Sequence, residues 1–184
     1  MICHEYKCVF IHIPKVAGTS IEQAFLNSLG LTWEQRDELL ISTNDDPAKG
    51  PPHLQHMTAE EYVKYGYLTQ KQFDEYFKFT FVRDPYERIV SEYRYRRFYD
   101  QYDFRTFLLE KFPKLEDDDY VNFLDYHRHI VPQYDFIYDK EGNQLVDFVG
   151  RFENLEEDFK QIGIQLGVDL TLPSSNRSKN KKSL

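Results

Sequence analysis

Two short apolar runs, each followed at once by signals that start a helix, constrain this chain more than any other feature. Residues 7–13 read KCVFIHI, a β-branched and aromatic run that Pro14 ends. Residues 77–82 read FKFTFV and lead into Asp84-Pro85-Tyr86-Glu87. That tetrapeptide offers an N-cap, a proline at the first helical position and an acid at the third. Both runs read as strands. After the first, Ile21, Ala24, Phe25 and Leu29 repeat at the helical period over residues 19–29, and Gly30 closes the helix. Two strand–loop–helix units imply an α/β fold with a parallel sheet flanked by helices. Ligands of such folds sit at the carboxyl ends of the strands, where both turns fall.

The rest of the chain fills in around these units. Its 184 residues suit one domain, and no repeat or linker divides them, so residues 1–184 are expected to form a single domain. Residues 41–57 lack periodicity and read as a loop too long for a plain connector. Thr58-Ala-Glu-Glu61 and Thr69-Gln-Lys-Gln72 have the pattern of capping boxes, each opening a short helix. A helix of about four turns follows Asp84 to near Phe98, with further helices expected at 103–111 and 118–127. Residues 136–138 and 145–152 read as a hairpin around Lys140-Glu-Gly142-Asn143. Asn154-Leu-Glu-Glu157 caps a last helix that reaches about Leu166.

A net charge of −8 argues against general nucleic-acid binding. Residues 173–184 nonetheless carry Arg177, Lys179, Lys181 and Lys182 with no acid, a local +4 that leaves −12 on residues 1–172. Such a tail is either a solvated terminus or a flap over an anionic ligand. No apolar run approaches the ~20 residues of a membrane span, and no basic-then-apolar leader opens the chain. With Cys3 and Cys8 read as reduced thiols, a cytoplasmic protein is expected.

The chemistry concentrates at the two turns. In Ile13-Pro14-Lys15-Val16-Ala17-Gly18-Thr19-Ser20 a strand enters a small-residue turn and a helix starts at once. Free N–H groups at a helix start form an anion site, and glycine lets a phosphate approach closely. Lys15 adds a mobile cation, and Thr19 and Ser20 add hydroxyls. An ordinary capped turn is the bland alternative, but capping needs no lysine. The nucleotide-kinase pattern of a lysine directly after a glycine is absent, since the chain contains no Gly-Lys dipeptide. In the second segment Arg83 ends a strand and Ser91 lies about two turns into the next helix, where both can share one phosphate. Taken alone, Arg83 could merely pair with Asp84 or Glu87.

Together, Pro-Lys-x-Ala-Gly-Thr-Ser and Arg-Asp-Pro-x-x-Arg-x-x-Ser resemble the 5′-phosphosulfate and 3′-phosphate segments of sulfotransferases. The likeness is to the carbohydrate branch, with its chondroitin, dermatan and heparan 2-O enzymes and small bacterial relatives. Residues 146–159 are similar to a late segment of those relatives. The resemblance implies a P-loop-like three-layer fold and 3′-phosphoadenosine-5′-phosphosulfate (PAPS) as sulfuryl donor, with no metal. It implies that Lys15 contacts the bridging oxygen and 5′-phosphate, while Ala17, Gly18, Thr19 and Ser20 cradle the phosphosulfate. Arg83 and Ser91 hold the 3′-phosphate, and the tail around Arg177 and Lys179 covers the nucleotide. The acceptor is a hydroxyl on a saccharide, and the lack of an anchor fits a small bacterial-type enzyme.

A base must take the acceptor's proton, and neutral histidine suits that role. His56 resembles the histidine that this family sets opposite the sulfate, with His53 in reserve. His127 and His129 point to different faces of a helix and lack a partner set, so no metal is expected there. Arg94, Arg96 and Arg97, interleaved with Tyr93, Tyr95, Phe98 and Tyr99, read as an exposed helix face or as an acceptor groove. Two other classes remain open: a nucleotide or sugar kinase with a divergent loop, and a non-catalytic domain binding a 3′-phosphonucleotide.

Overall fold

The computed structural model describes residues 1–173. Its centre is a four-stranded sheet in the order β1-β2-β3-β4, formed by Ile2–Cys3, Cys8–Ile11, Phe77–Val82 and Phe148–Arg151. The last three strands run parallel, and β1 folds back antiparallel on β2, pairing Cys3 with Cys8. Strands covered on both faces need continuous apolar character, and all four residues of β2 are buried. Of the two polar residues of β3, Thr80 donates its hydroxyl to the Ile11 carbonyl at 2.6 Å and Lys78 donates to the Tyr76 carbonyl at 2.8 Å.

Helices α1 (Gly18–Ser28), α2 (Glu61–Lys64), α3 (Gln70–Glu75), α4 (Pro85–Tyr95), α5 (Phe104–Glu110), α6 (Gln133–Ile137) and α7 (Leu155–Leu166) surround the sheet. Phe10 and Phe79 stack across β2 and β3 with centroids 5.1 Å apart. Phe25 of α1 and Phe159 of α7 extend that ring cluster. Gly150 of β4 marks a close approach, because a Cβ there would stand 2.5 Å from the Phe81 ring. Among the described residues no helix is long and apolar enough to cross a membrane.

The mixed α/β architecture, with helices flanking the sheet, matches the expectation, and β3 matches it residue for residue. The Asp84 carboxylate caps α4 through the Tyr86 and Glu87 amides. Thr69 and Gln72 form a full capping box, whereas at Thr58 the amide donates to Glu61 and the helix starts later. Four expectations fail. Helix α4 stops at Tyr95, where Arg97 turns left-handed at φ 57°. Residues 118–127 form turns rather than a helix. Asp119 accepts from the Val121 and Asn122 amides and Asp118 from those of His127 and Arg128, so local side-chain bonds replace helical ones. The hairpin reduces to one bridge, Tyr138 to Gln144, since 133–137 is helical and β4 pairs with β3 instead. The Asn154 side chain bonds Asp158 rather than capping α7.

The Gly150→Ala variant is expected to lose about 1–3 kcal/mol through overpacking against Phe81. A lower urea midpoint at an unchanged slope checks this.

Candidate functional site

Pro14 ends β2, and the loop that follows twists sharply, with Lys15 at φ 73° and Ala17 at φ 69°. Left-handed non-glycine residues are strained and gather at functional turns. Ala17 takes the N-cap position of α1 and offers no capping side chain. The first helical amides, at Gly18 and Thr19, therefore face an anion-type helix start. Ser20 is buried one step further on, and Thr19 is exposed. Gly18 is required by its neighbour: a Cβ would lie 1.9 Å from Nε2 of His12. That ring stacks on Phe10, and its Nδ1 pairs with Glu22 of α1 at 2.6 Å.

Arg83 leaves the end of β3 and meets the same loop, donating to the Lys15 carbonyl at 3.3 Å. Gln133 clamps its backbone on both sides, and its guanidinium lies 4.2 Å from the Phe152 ring. Glu87 approaches the guanidinium at 3.7 Å, while the buried Nε of Arg83 has no hydrogen-bond partner among the described residues. An orphaned buried donor of this kind suits an anionic ligand. Beside it, at the ends of β3 and β4, opens a groove of about 670 Å³ lined by Val82, Arg83, Tyr134, Tyr138 and Arg151.

One face of α4 organises the remainder, with residues 88, 91, 92 and 95 falling on it by helical spacing. Arg88 is buried and donates to the carbonyls of Pro14, Val131 and His129 at 3.0, 2.9 and 2.6 Å. Burial pushes its pKa down to about 10. Ser91 is half-buried one turn before Tyr95, whose ring carries the Lys15 ammonium 3.6 Å from its centroid. Burial lowers the Lys15 pKa to about 8. Tyr95 also stacks near His129, with centroids 6.0 Å apart.

His56 lies at the end of a one-turn helix in the long loop, and its Nδ1 sits 2.5 Å from Asp125. Its ring meets those of His12 and His129 edge-on at 4.7 and 5.0 Å. His53 is neighbour to His56 at 5.8 Å and pairs with Thr43 across an isolated bridge. Asp125 also receives Arg96 at 2.8 Å and His129 at 3.3 Å, and Glu92 holds both of those at 3.0 and 2.8 Å. Burial drives the His56 pKa well below 6.5 despite the pull of Asp125. For Asp125 burial opposes ionisation, but the His56 and His129 rings outweigh it and hold the carboxyl far below its usual range.

The structure thus brings Lys15, Gly18, Arg83, Ser91 and His56 around one end of the sheet. Arg177 and Lys179 lie outside the described residues. Arg96 does not lie on an exposed face, since two buried carboxylates hold it. His12, Glu22, Arg88, Glu92 and Asp125 were missed as members of the site. A Glu at helical spacing from both Arg88 and Arg96 was the available signal. His56, Asp125 and His129 set three metal-type ligand atoms within 4.8 Å of one another. The Arg96 guanidinium already balances that carboxylate, which leaves little need for a metal charge.

Replacing Arg88 by Ala strands three buried carbonyls and is expected to cost about 3 kcal/mol. Arg83→Ala is expected to stay within about 1 kcal/mol of wild type. Paired urea titrations distinguish the structural arginine from the one left for a ligand.

The chain matches the sulfotransferase family over residues 1–183. It is 28% identical over 160 residues to carbohydrate sulfotransferase 10 of Danio rerio, covering 79% of this chain and 39% of that relative. Against carbohydrate sulfotransferase 14 of Mus musculus it is 26% identical over 189 positions, covering 88% of this chain and 45% of the relative. An uncharacterized protein of Archaeoglobus fulgidus is 32% identical over 122 residues, 62% of this chain and 91% of that protein. The chain spans less than half the length of these two carbohydrate sulfotransferases. No solved structure matches it. Both turns identified from the sequence fall within the matched residues, and the chain belongs to the sulfotransferase family.

Proposed function

We propose that this chain is a cytoplasmic enzyme, a single sulfotransferase domain, that moves the sulfuryl group of PAPS to a hydroxyl, on a carbohydrate acceptor. The observation that carries the reading is Arg83, whose buried Nε, without a partner among the described residues, stands beside the strained loop at the start of α1. Two phosphate-bearing ends of one nucleotide fit such a pair of anion sites. Arg83 and Ser91 hold the 3′-phosphate, and Ala17, Gly18, Thr19 and Ser20 cradle the 5′-phosphosulfate. The tail around Arg177 and Lys179 adds positive charge over the bound nucleotide. The free, buried Cys3 and Cys8 suit a reducing compartment.

In the reaction the acceptor oxygen attacks sulfur as the bond from sulfur to the bridging phosphate oxygen breaks. His56 takes the hydroxyl proton, and Lys15 stabilises the charge that develops on the leaving phosphate. By analogy with phosphoryl transfer, positioning and charge supply most of the rate. His56 is preferred to His53 because it is buried and oriented by a carboxylate. Names of the relatives support a carbohydrate acceptor.

Calorimetric titration with 3′-phosphoadenosine-5′-phosphate is the first test, with magnesium-ATP in parallel. Wild type is expected to bind the 3′-phosphorylated nucleotide and Arg83→Ala to lose that binding. Preference for magnesium-ATP would instead move the kinase reading forward. With PAPS and an acceptor, His56→Ala is expected to lower kcat by about 10²–10⁴ while nucleotide binding persists. The base works as the neutral ring, and burial together with His12 and His129 disfavours its protonation more than Asp125 favours it. The acidic limb of kcat therefore falls below pH 6.5, and a limb at or above that value assigns the base elsewhere.

A further inference from the structure

We infer that Asp125 is a positioning residue that locks the His56 ring as the Nδ1–H tautomer, leaving Nε2 as the atom that takes a proton. The tautomer follows from the geometry alone, and the use of Nε2 as a base rests on the sulfotransferase reading.

An ionised carboxylate only accepts hydrogen bonds. Asp125 Oδ2 lies 2.5 Å from His56 Nδ1, with both groups buried, so the shared hydrogen belongs to the ring nitrogen. The partner of one ring nitrogen thereby decides the chemistry of the other. Asp125 is itself held in a closed ring of contacts. Its Oδ1 meets Arg96 at 2.8 Å and His129 Nε2 at 3.3 Å. Arg96 Nε then reaches Glu92 at 3.0 Å, and the second Glu92 oxygen returns to His129 Nδ1 at 2.8 Å. Within this ring, the Asp125 oxygen that points outward is the one facing His56.

The backbone fixes the ring from two sides. Glu92 and Arg96 are one turn apart on α4, and the His129 amide bonds the Asp125 carbonyl at 3.1 Å in a turn of the same spacing. Arg88, one turn earlier on α4, holds the His129 carbonyl. His56 faces His12, His53 and His129 around Asp125, and His12 Nδ1 is engaged by Glu22. The network thus delivers a carboxylate oxygen to one ring atom across 69 residues of sequence.

Long-range proton–nitrogen correlation spectra of ¹⁵N-histidine-labelled protein at pH 7.5 report the tautomer without any substrate. The expected wild-type spectrum shows His56 protonated at Nδ1 and bare at Nε2; a ring protonated at Nε2 alone overturns the inference. In Asp125→Asn the amide can donate to Nδ1, so the ring is expected to shift toward Nε2–H. With PAPS and an acceptor, that variant is expected to lose about 10²-fold or more in kcat while its affinity for 3′-phosphoadenosine-5′-phosphate stays within twofold. Asp125→Glu, which keeps the carboxylate, should restore part of both the tautomer and the rate. A folded Asp125→Asn protein with wild-type kcat sinks the positioning role. A wild type that shows the Nδ1–H tautomer but neither binds the nucleotide nor transfers sulfate upholds the lock and removes the sulfotransferase reading.

Discussion

The Arg88 guanidinium joins the parts of this molecule that matter together. It reaches the carbonyl of Pro14, just before the strained loop, and those of His129 and Val131, just after the turn that carries Asp125. A guanidinium offers donors in a fixed planar fork, so the three carbonyls are set in one plane relative to α4. Lysine could supply the charge but not the geometry. Because α4 also carries Ser91, Glu92, Tyr95 and Arg96, that anchoring sets the strained loop before α1 and the histidine cluster on one rigid element.

The buried carboxylates of the site each have a counterpart. Glu92 and Asp125 share Arg96 and His129, and Glu22 holds His12. Burying an ion pair gives little net stability, since the desolvation penalty offsets the attraction, but removing one partner is severe. The network is better understood as fixing orientation than as adding stability. Arg83 differs from these groups, because its buried Nε lacks a partner among the described residues.

Much of this was legible in the sequence where the controlling interactions are local. Strand β3, the Asp84 cap, the Thr69 box and the Lys15 to Ser20 turn depend on residues within a few positions of one another, and pattern reasoning reached them. Arg83 and Ser91 followed from the strand end and the helical repeat. Failure came where short-range polar bonds compete with helical periodicity. Asp118 and Asp119 bond nearby amides, so a stretch with an apolar helical pattern folds as turns. That same misreading hid Asp125, because a helix over 118–127 gives no reason to send its side chain to His56. Arg96 was misplaced for a related reason: its carboxylate partners include one that no local pattern connects to it.

The contact between His12 and Gly18 has a consequence for how this chain can vary. The imidazole fills the volume that any side chain at position 18 would need, while Glu22 depends on that imidazole to share its buried charge. Positions 12, 18 and 22 therefore form one unit of inheritance. A larger residue at 18 is tolerated only on a background where 12 has already shrunk and 22 has already lost its charge. Substitution paths through this corner of the molecule are thus ordered in time, and the same change is harmful or harmless according to which step precedes it.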